Sequence, residues 1–388
     1  ADVAFKARLP RTNGTSTGYL CDQMERQGVV IGKPERPIPH GVLGQTHVTS
    51  WLLSRYPGAP RARRCARNIA SIVGGHHGTN PTFADVEKVE LSLAREDHLW
   101  KATRDEVLDT VASHTGADES LPAWMSSPIP IQAQVLSEAL VIMADWIASS
   151  ERLFPYDSTE STPDRVRRAV TQLRLPHSWQ PLPGPDDTTD VFQRSFPSIR
   201  RGEPNAMQIA AIKAANAMTE PGLLIIEAPM GLGKTEAALM CAEVLARRSG
   251  LGGVFFGLPT MATSNPMFSR VREWLNAVPA KNRSSITLAH SKAALNEEYQ
   301  QLMPWNAAMA VYDDAATTQH EASSVVHEWF LGRKRAILAN HVVGTIDQAL
   351  FTGLKAKHVV LRHLGLASKV VIIDEVHAAD VYMREYLK

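Results

Sequence analysis

The run Ile226-Glu-Ala-Pro-Met-Gly-Leu-Gly-Lys-Thr-Glu-Ala-Ala238 constrains the fold of this chain more than any other stretch. Before it, Leu223-Leu-Ile-Ile226 is a short apolar run that predicts a buried strand. After it, Ala237 to Ala246 predicts a helix. A glycine-bearing turn between such a strand and such a helix is a phosphate cradle. Small residues let backbone N–H groups close on a phosphate at a helix N-terminus already favourable to anions. The loop contributes Met230, Gly231, Leu232, Gly233, Lys234, Thr235 and Glu236. Lys234 is expected to reach the β- and γ-phosphates of ATP, and Thr235 to hold the accompanying Mg²⁺. An α/β layer with a mainly parallel sheet is the fold that such a loop requires.

A second buried-strand signal, Val370-Val-Ile-Ile373, runs directly into Asp374-Glu375-Val376-His377. A carboxylate pair at the end of a parallel strand suits nucleotide hydrolysis. Asp374 is the candidate for binding Mg²⁺, and Glu375 for orienting and deprotonating the attacking water. Gln208, in Pro204-Asn-Ala-Met-Gln208, lies just upstream of the loop and offers one donor and one acceptor to the edges of adenine. Phe192 or Phe196 is a candidate for stacking on the base, with simple packing as the alternative. Gly257-Leu-Pro-Thr260 follows Gly253-Val-Phe-Phe256, and Gly344-Thr345-Ile346-Asp347-Gln348 follows the apolar run Ala336-Ile-Leu-Ala339. Thr260 and Thr345 therefore fall at strand ends, where hydroxyl and N–H groups suit the phosphates of a single strand.

The 388 residues exceed one ordinary domain, so two are expected. With 44% hydrophobic and 21% charged residues, each can bury a core. No run is read as a membrane span and no secretory signal opens the chain. Three scattered cysteines, Cys21, Cys65 and Cys241, give neither a disulfide framework nor a cysteine zinc cluster and fit a cytoplasmic setting. The net charge of +1 rules out a global basic field, so nucleic-acid binding needs a local track. Arg333-Lys-Arg335, or Lys355, Lys357 and Arg362, could supply one, or could be solvated faces. Polar, proline-rich stretches at Ser158 to Pro163 and Pro181 to Asp187 place a linker over 156–200, with a helix within it from Arg165 to Leu175. Domains are then expected over 1–155 and 201–388.

The first domain lacks strand alternation and reads as all-α. Arg61 to Val73 predicts a helix with Ile69, Ile72 and Val73 on its apolar side, ending in Gly74-Gly75-His76-His77-Gly78. Gln132 to Ser149 predicts a mostly buried helix with Asp145 in its apolar run. A carboxylate there is costly unless paired or metal-bound. His40, His76, His77 and Asp145 form a candidate site. Imidazole with carboxylate suits Mn, Fe, Co or Ni, and water activated on such ions hydrolyses phosphodiesters.

Two resemblances follow from these residues. From Arg201 to Lys388 the chain resembles the first RecA-like domain of superfamily 2 DExH helicase motors, in which alanine often stands where Ala228 replaces the usual first loop glycine. The chain runs eleven residues beyond His377, so the second motor domain, with its arginine fingers, is not expected within it. A poor ATPase follows. The order His40, His76-His77, Asp145 resembles the later motifs of HD phosphohydrolases. Ala1-Asp2-Val3-Ala4-Phe5 resembles the segment after that family's His-Asp dyad. An HD domain joined to a DExH motor is similar to the CRISPR-associated helicase–nuclease family of type I systems. Ala144-Asp145-Trp146-Ile147-Ala148-Ser149 and Ala289-His290-Ser291 add to the likeness. The resemblance implies ATP-driven 3′ to 5′ movement on single-stranded DNA, strand cutting at the HD metals, and recruitment by an RNA-guided surveillance complex at an R-loop. Two rivals remain open: a nucleotide phosphohydrolase fused to a P-loop regulator, and an inactive module that only binds the surveillance complex.

Overall fold

The structure, a computed structural model, describes residues 22–23, 25–28, 39–93, 98–155, 158–183, 188–199, 202–282, 284–293, 296–302, 324–325, 328–330, 334–378 and 381–387. It divides into two compact units, Ala1–Glu151 and Arg152–Lys388.

All the named elements of the first unit are helices: α1 His40–Arg55, α2 Ala62–Gly74, α3 Phe83–Leu93, α4 His98–Thr115, α5 Ala117–Ser126 and α6 Ile131–Ala148. α1 and α2 form its centre, packed with α5 and α6. The buried stripe of α2 is Cys65, Ala66, Ala70 and Gly74, at helical spacing. The apolar side expected from the sequence is only partly buried: Ile69 is half-buried against this core, Ile72 is half-buried, and Val73 is exposed, with its Cγ1 3.9 Å from where a Cβ on Gly44 of α1 would sit. Small residues win the core side because α1 approaches closely there. A Cβ on Gly41 of α1 would sit 2.8 Å from the Gly74 carbonyl oxygen. The α6 helix is also less buried than expected, with only Glu138, Ala139 and Ile142 fully inside and Leu140 exposed. Its 18 residues have mean hydropathy 1.3, which by length and composition is enough to cross a membrane. The sequence reading had found no such run. Its packing on α2 and its carboxylates Glu138 and Asp145 mark it as a helix of this unit.

The second unit carries α7 Thr162–Leu173, α8 Thr188–Ser195, α9 Ala206–Ala217, α10 Lys234–Ser249, β1 Val254–Leu258, α11 Met261–Ala277, β2 Ser284–Ala289, α12 Glu297–Leu302, β3 Ser324–Val325, β4 His341–Thr345, α13 Asp347–Leu350, α14 Val359–Ala367, β5 Val370–Ile373 and α15 Val381–Leu387. The sheet is parallel, in the order β3-β2-β4-β1-β5. All five residues of β1 are buried, as a central parallel strand with both faces covered requires. Phe256, Leu258, Phe268, Trp274 and Ile286 form part of the core between sheet and α11.

Two expected strands are absent. Leu223–Ile226 lies outside any ladder. Ala336–Leu338 is a 3-10 turn, and the strand begins at His341. The stretch 156–200 does more than link. Ser161 caps α7, with Pro163 in the first turn, where proline lacks nothing by having no N–H. Trp179 is buried in the sheet core, and its backbone N–H donates to the Gly252 carbonyl at 3.1 Å. Arg194 of α8 holds Glu243 of α10 through contacts of 2.6 and 2.7 Å. Buried aromatic and charged anchors tie this stretch to the second unit despite its polar composition.

Candidate metal centre and nucleotide site

In the first unit the elements bring three histidines together. His40 is the first residue of α1, directly after Pro39. His76 and His77 follow the C-terminal end of α2. Glycines make the meeting possible. A side chain on Gly74 would collide with Gln45, and one on Gly75 with Asn80 and Glu138. His40 Nε2 lies 3.0 Å from His76 Nε2 and 2.8 Å from His77 Nε2. His76 Nδ1 is 2.7 Å from the Val73 carbonyl oxygen, which can only accept. Nδ1 therefore carries the proton, and in neutral His76 the Nε2 lone pair points at the cluster.

The spacing fits a shared cation. Metal–nitrogen bonds of about 2.1 Å at right angles put two donor nitrogens about 3.0 Å apart. One Nε2 of His40 meets two others at that range, more than a single N–H can satisfy. The Val73 carbonyl behind His76 is the outer partner that orients a ligating imidazole. Asp145 does not join this group, whose ligand atoms all lie within 4.8 Å of one another. It is half-buried on α6 without an ion pair among the described residues.

Sequence reasoning missed Glu138 and Asn80. Glu138 is buried, and burial pushes its carboxyl pKa up, while a hydrogen bond from Asn80 pulls the other way. The pair walls the backbone at Gly75, one residue before His76. The available signal was a second carboxylate on the face of α6 that carries Asp145, seven residues earlier. The Ala1–Phe5 segment lies outside the described residues.

In the second unit the motif residues gather at the C-terminal ends of the strands. Thr345 ends β4 in register with Leu258 of β1. Thr260, just past β1, caps α11 by accepting from the Thr263 N–H at 3.2 Å. Asp374 follows β5, and its N–H donates to the Gly257 carbonyl at 2.9 Å. Its Oδ1 accepts from the Glu375 N–H at 2.9 Å, and Glu375 takes a left-handed φ of 54°. His377 Nε2 lies 3.0 Å from Glu375 Oε2.

The loop Met230–Glu236 leads into α10, which packs against β5. Gly231 and Gly233 have φ of 79° and 73°, the left-handed region that favours glycine. Lys234 Nζ spans the loop, donating to the carbonyls of Ala228 at 2.8 Å and Pro229 at 3.2 Å. Thr235 and Glu236 are half-buried, and Met230 and Leu232 are exposed. Gln208 is buried beneath the loop. Its Nε2 donates to the Gly233 carbonyl at 3.1 Å, and its Oε1 accepts from the Asn205 N–H at 3.0 Å. With the Gln208 N–H to Asn205 Oδ1 bond this is a capping box. Asn205 also donates to the Leu232 carbonyl at 2.9 Å, a brace the sequence reading did not foresee. Phe192 is buried against α9 and α10, whereas Phe196 lines a cavity of about 590 Å³ with Ile199, Glu236, Arg270 and Trp274.

Comparison with known proteins agrees with both halves. The family described as "Cas3, HD domain" matches residues 6–154. The chain is 36% identical to the CRISPR-associated nuclease/helicase Cas3 of Streptococcus thermophilus, over 100% of this chain and 42% of that protein. It is 34% identical to the CRISPR-associated endonuclease/helicase Cas3 of Thermus thermophilus, over 93% and 38%. The chain thus spans about two-fifths of the length of these relatives. Among solved structures, T. fusca Cas3 matches with a TM-score of 0.70 and 31% identity, over 94% of this chain and 40% of that one. A CRISPR RNA-guided surveillance complex in a pre-nicking state also matches, with a TM-score of 0.54 and 27% identity, over 92% of this chain and 34% of that one. An all-α HD unit with clustered histidines, followed by a parallel-sheet RecA-like unit with a nucleotide loop, places this chain in the Cas3 family of CRISPR-associated nuclease/helicases.

Proposed function

We propose that the first unit cuts single-stranded DNA and that the second binds ATP·Mg²⁺ to move that strand 3′ to 5′, in CRISPR interference against foreign DNA. The convergence of the His40, His76 and His77 nitrogens at 2.8–3.0 Å carries this reading. Asp145 stands outside the three-histidine group, and it is assigned as the fourth ligand from its half-buried place on the helix packed against α2, with no ion pair among the described residues. A divalent Mn, Fe, Co or Ni ion bound there supplies an activated water at neutral pH. His76 presents its lone pair because Val73 holds its other proton. Glu138 and Asn80 fix the backbone from which the two histidines spring.

In the second unit Lys234 and Thr235 are assigned to the phosphates and Mg²⁺, Asp374 to Mg²⁺, Glu375 to the attacking water, and Thr260 and Thr345 to the DNA strand. The support is their common position at the C-terminal strand ends, where α/β sheets take ligands. Recruitment by an RNA-guided surveillance complex at an R-loop and a cytoplasmic setting complete the reading.

The test is the double variant His76→Ala/His77→Ala. Uptake of Mn²⁺ and cleavage of single-stranded DNA should both fall to background, with ATP binding unchanged. Parallel loss of ATP binding would argue against separate sites. Hydrolysis of free nucleotides but not of single-stranded DNA by the parent chain would favour a nucleotide phosphohydrolase.

A further inference from the structure

The α2 helix carries an unusual charge distribution. Arg61, Arg63, Arg64 and Arg67 stand at its N-terminal end, with no acidic residue in the first turn and no side-chain cap. That is the pole where aligned peptide dipoles already leave partial positive charge. All four arginines are exposed, and none forms an ion pair among the described residues. Arg55 on neighbouring α1 is the contrast, held by Asp109 at 2.7 Å and Asp118 at 2.9 Å.

No acid on the packed elements forms an ion pair with these arginines among the described residues. α1 has no carboxylate in its sequence. On α5, Asp118 is taken by Arg55, and Glu119 is exposed without an ion pair among the described residues. On α6, Glu138 is buried with Asn80, and Asp145 has no ion pair among the described residues. Arg63 and Arg67 are four residues apart, and Arg64 and Arg67 three, so they share one face. Arg63 and Arg67 continue the line of Ala70 and Gly74 toward the N-terminal end of the helix, where, unlike those two, they are exposed. Along the axis Arg67 is about 10 Å and Arg63 about 17 Å from Gly74, two residues before His76.

We propose that this arginine face binds the phosphate backbone of a single DNA strand and leads it along α2 to the histidines. The inference rests on the reading of the histidines as a DNA-cutting centre. Guanidinium forks match phosphate oxygens bidentately and carry no base preference, as a strand of any sequence requires. A local track is needed because the chain's net charge is only +1.

The experiment compares the whole chain with Arg63→Gln/Arg64→Gln/Arg67→Gln and with the control pair Arg247→Gln/Arg248→Gln at the exposed end of α10. Arg61 is left in place because it sets the left-handed entry to the helix. Binding of oligodeoxythymidine is measured by anisotropy across salt concentrations, and Mn²⁺ binding by calorimetry. The triple variant should bind roughly tenfold more weakly near 0.1 M salt, with a log–log salt slope shallower by about 2, or about 0.7 per lost phosphate contact. The control pair should leave the slope unchanged, and the triple variant should still bind Mn²⁺. An unchanged slope in the triple variant overturns the proposal, as does an equal loss in the control pair. Loss of surveillance-complex capture with intact oligonucleotide binding overturns it in favour of a protein-docking face. Failure of the parent chain to bind Mn²⁺ would sink the metal-centre reading instead, and leave the arginine-dependent slope standing.

Discussion

Gly75 has no side chain, and the space a Cβ would need is filled by Glu138 and Asn80. Gly75→Ala should therefore cost about 1–3 kcal/mol, because a buried carboxyl must shift. It should also weaken Mn²⁺ uptake, since His76 is the next residue. Gly58→Ala, where nothing lies within 4 Å, should do neither. Thermal melts and metal titrations of both variants check this. A second residue-level consequence concerns acid. His341 is fully buried at the start of β4, its ring 4.8 Å from that of Trp179. Burial, with the Lys369 charge nearby, pushes it down from the ordinary 6.5 to about 3. The unfolded chain takes up this proton near pH 6.5 and the fold only near pH 3. The contribution of His341 is thus constant above 6.5 and is lost as pH drops from 6.5 toward 3. His341→Leu should flatten that part of the stability–pH curve of the second unit. An unchanged curve would mean that other groups dominate acid unfolding. The histidine pair and Asp145 were legible as candidates in the sequence, because chemistry-bearing residues name themselves. Glu138, Asn80 and the Val73 carbonyl were not, because their role depends on which backbone they touch.

At the scale of elements, Leu223–Ile226 shows what periodicity can and cannot say. Leu224 and Ile226 pack onto the α9–α10 core, while Leu223 and Ile225 stand 84% and 76% exposed. The alternation is that of a strand with one dry face, yet no ladder partner lies beside it among the described residues. Apolar composition alone read as buried on both faces. Exposed apolar side chains on extended backbone invite pairing with other copies. Leu223→Lys/Ile225→Lys should leave stability within about 0.5 kcal/mol. It should lower concentration-dependent association in sedimentation velocity; unchanged association would locate self-pairing elsewhere. The nucleotide loop is the opposite case. Its glycines, Lys234 and Thr235 were fully legible, while its support from Asn205 and Gln208 came from tertiary contact. Asn205→Ala removes a cap worth about 1 kcal/mol and one bond to the loop. Nucleotide affinity should fall in a fluorescent-nucleotide titration, and an unchanged affinity would show that the loop holds its shape unaided.

For the whole molecule, division into Ala1–Glu151 and Arg152–Lys388 gives two cores and two sites. Lys234→Ala should abolish ATP binding without altering Mn²⁺ uptake, and chelation should strip the metal without altering ATP binding. Calorimetry on the same preparation reads both, and cross-effects would show that the sites are coupled. By itself the sequence determined the pairing of an all-α unit with a parallel α/β unit, and it named the candidate residues of each. Helical and strand periodicities and phosphate-loop glycines are local properties. Only the tertiary structure decided that Trp179 and Phe192 belong to the cores of the second unit, how closely the small residues of α2 let α1 approach, and that three Nε2 atoms meet. Those outcomes depend on how closely two backbones can approach. That distance is set by residues far apart in the chain, through Gly41, Gly74 and Gly75, rather than by any local pattern.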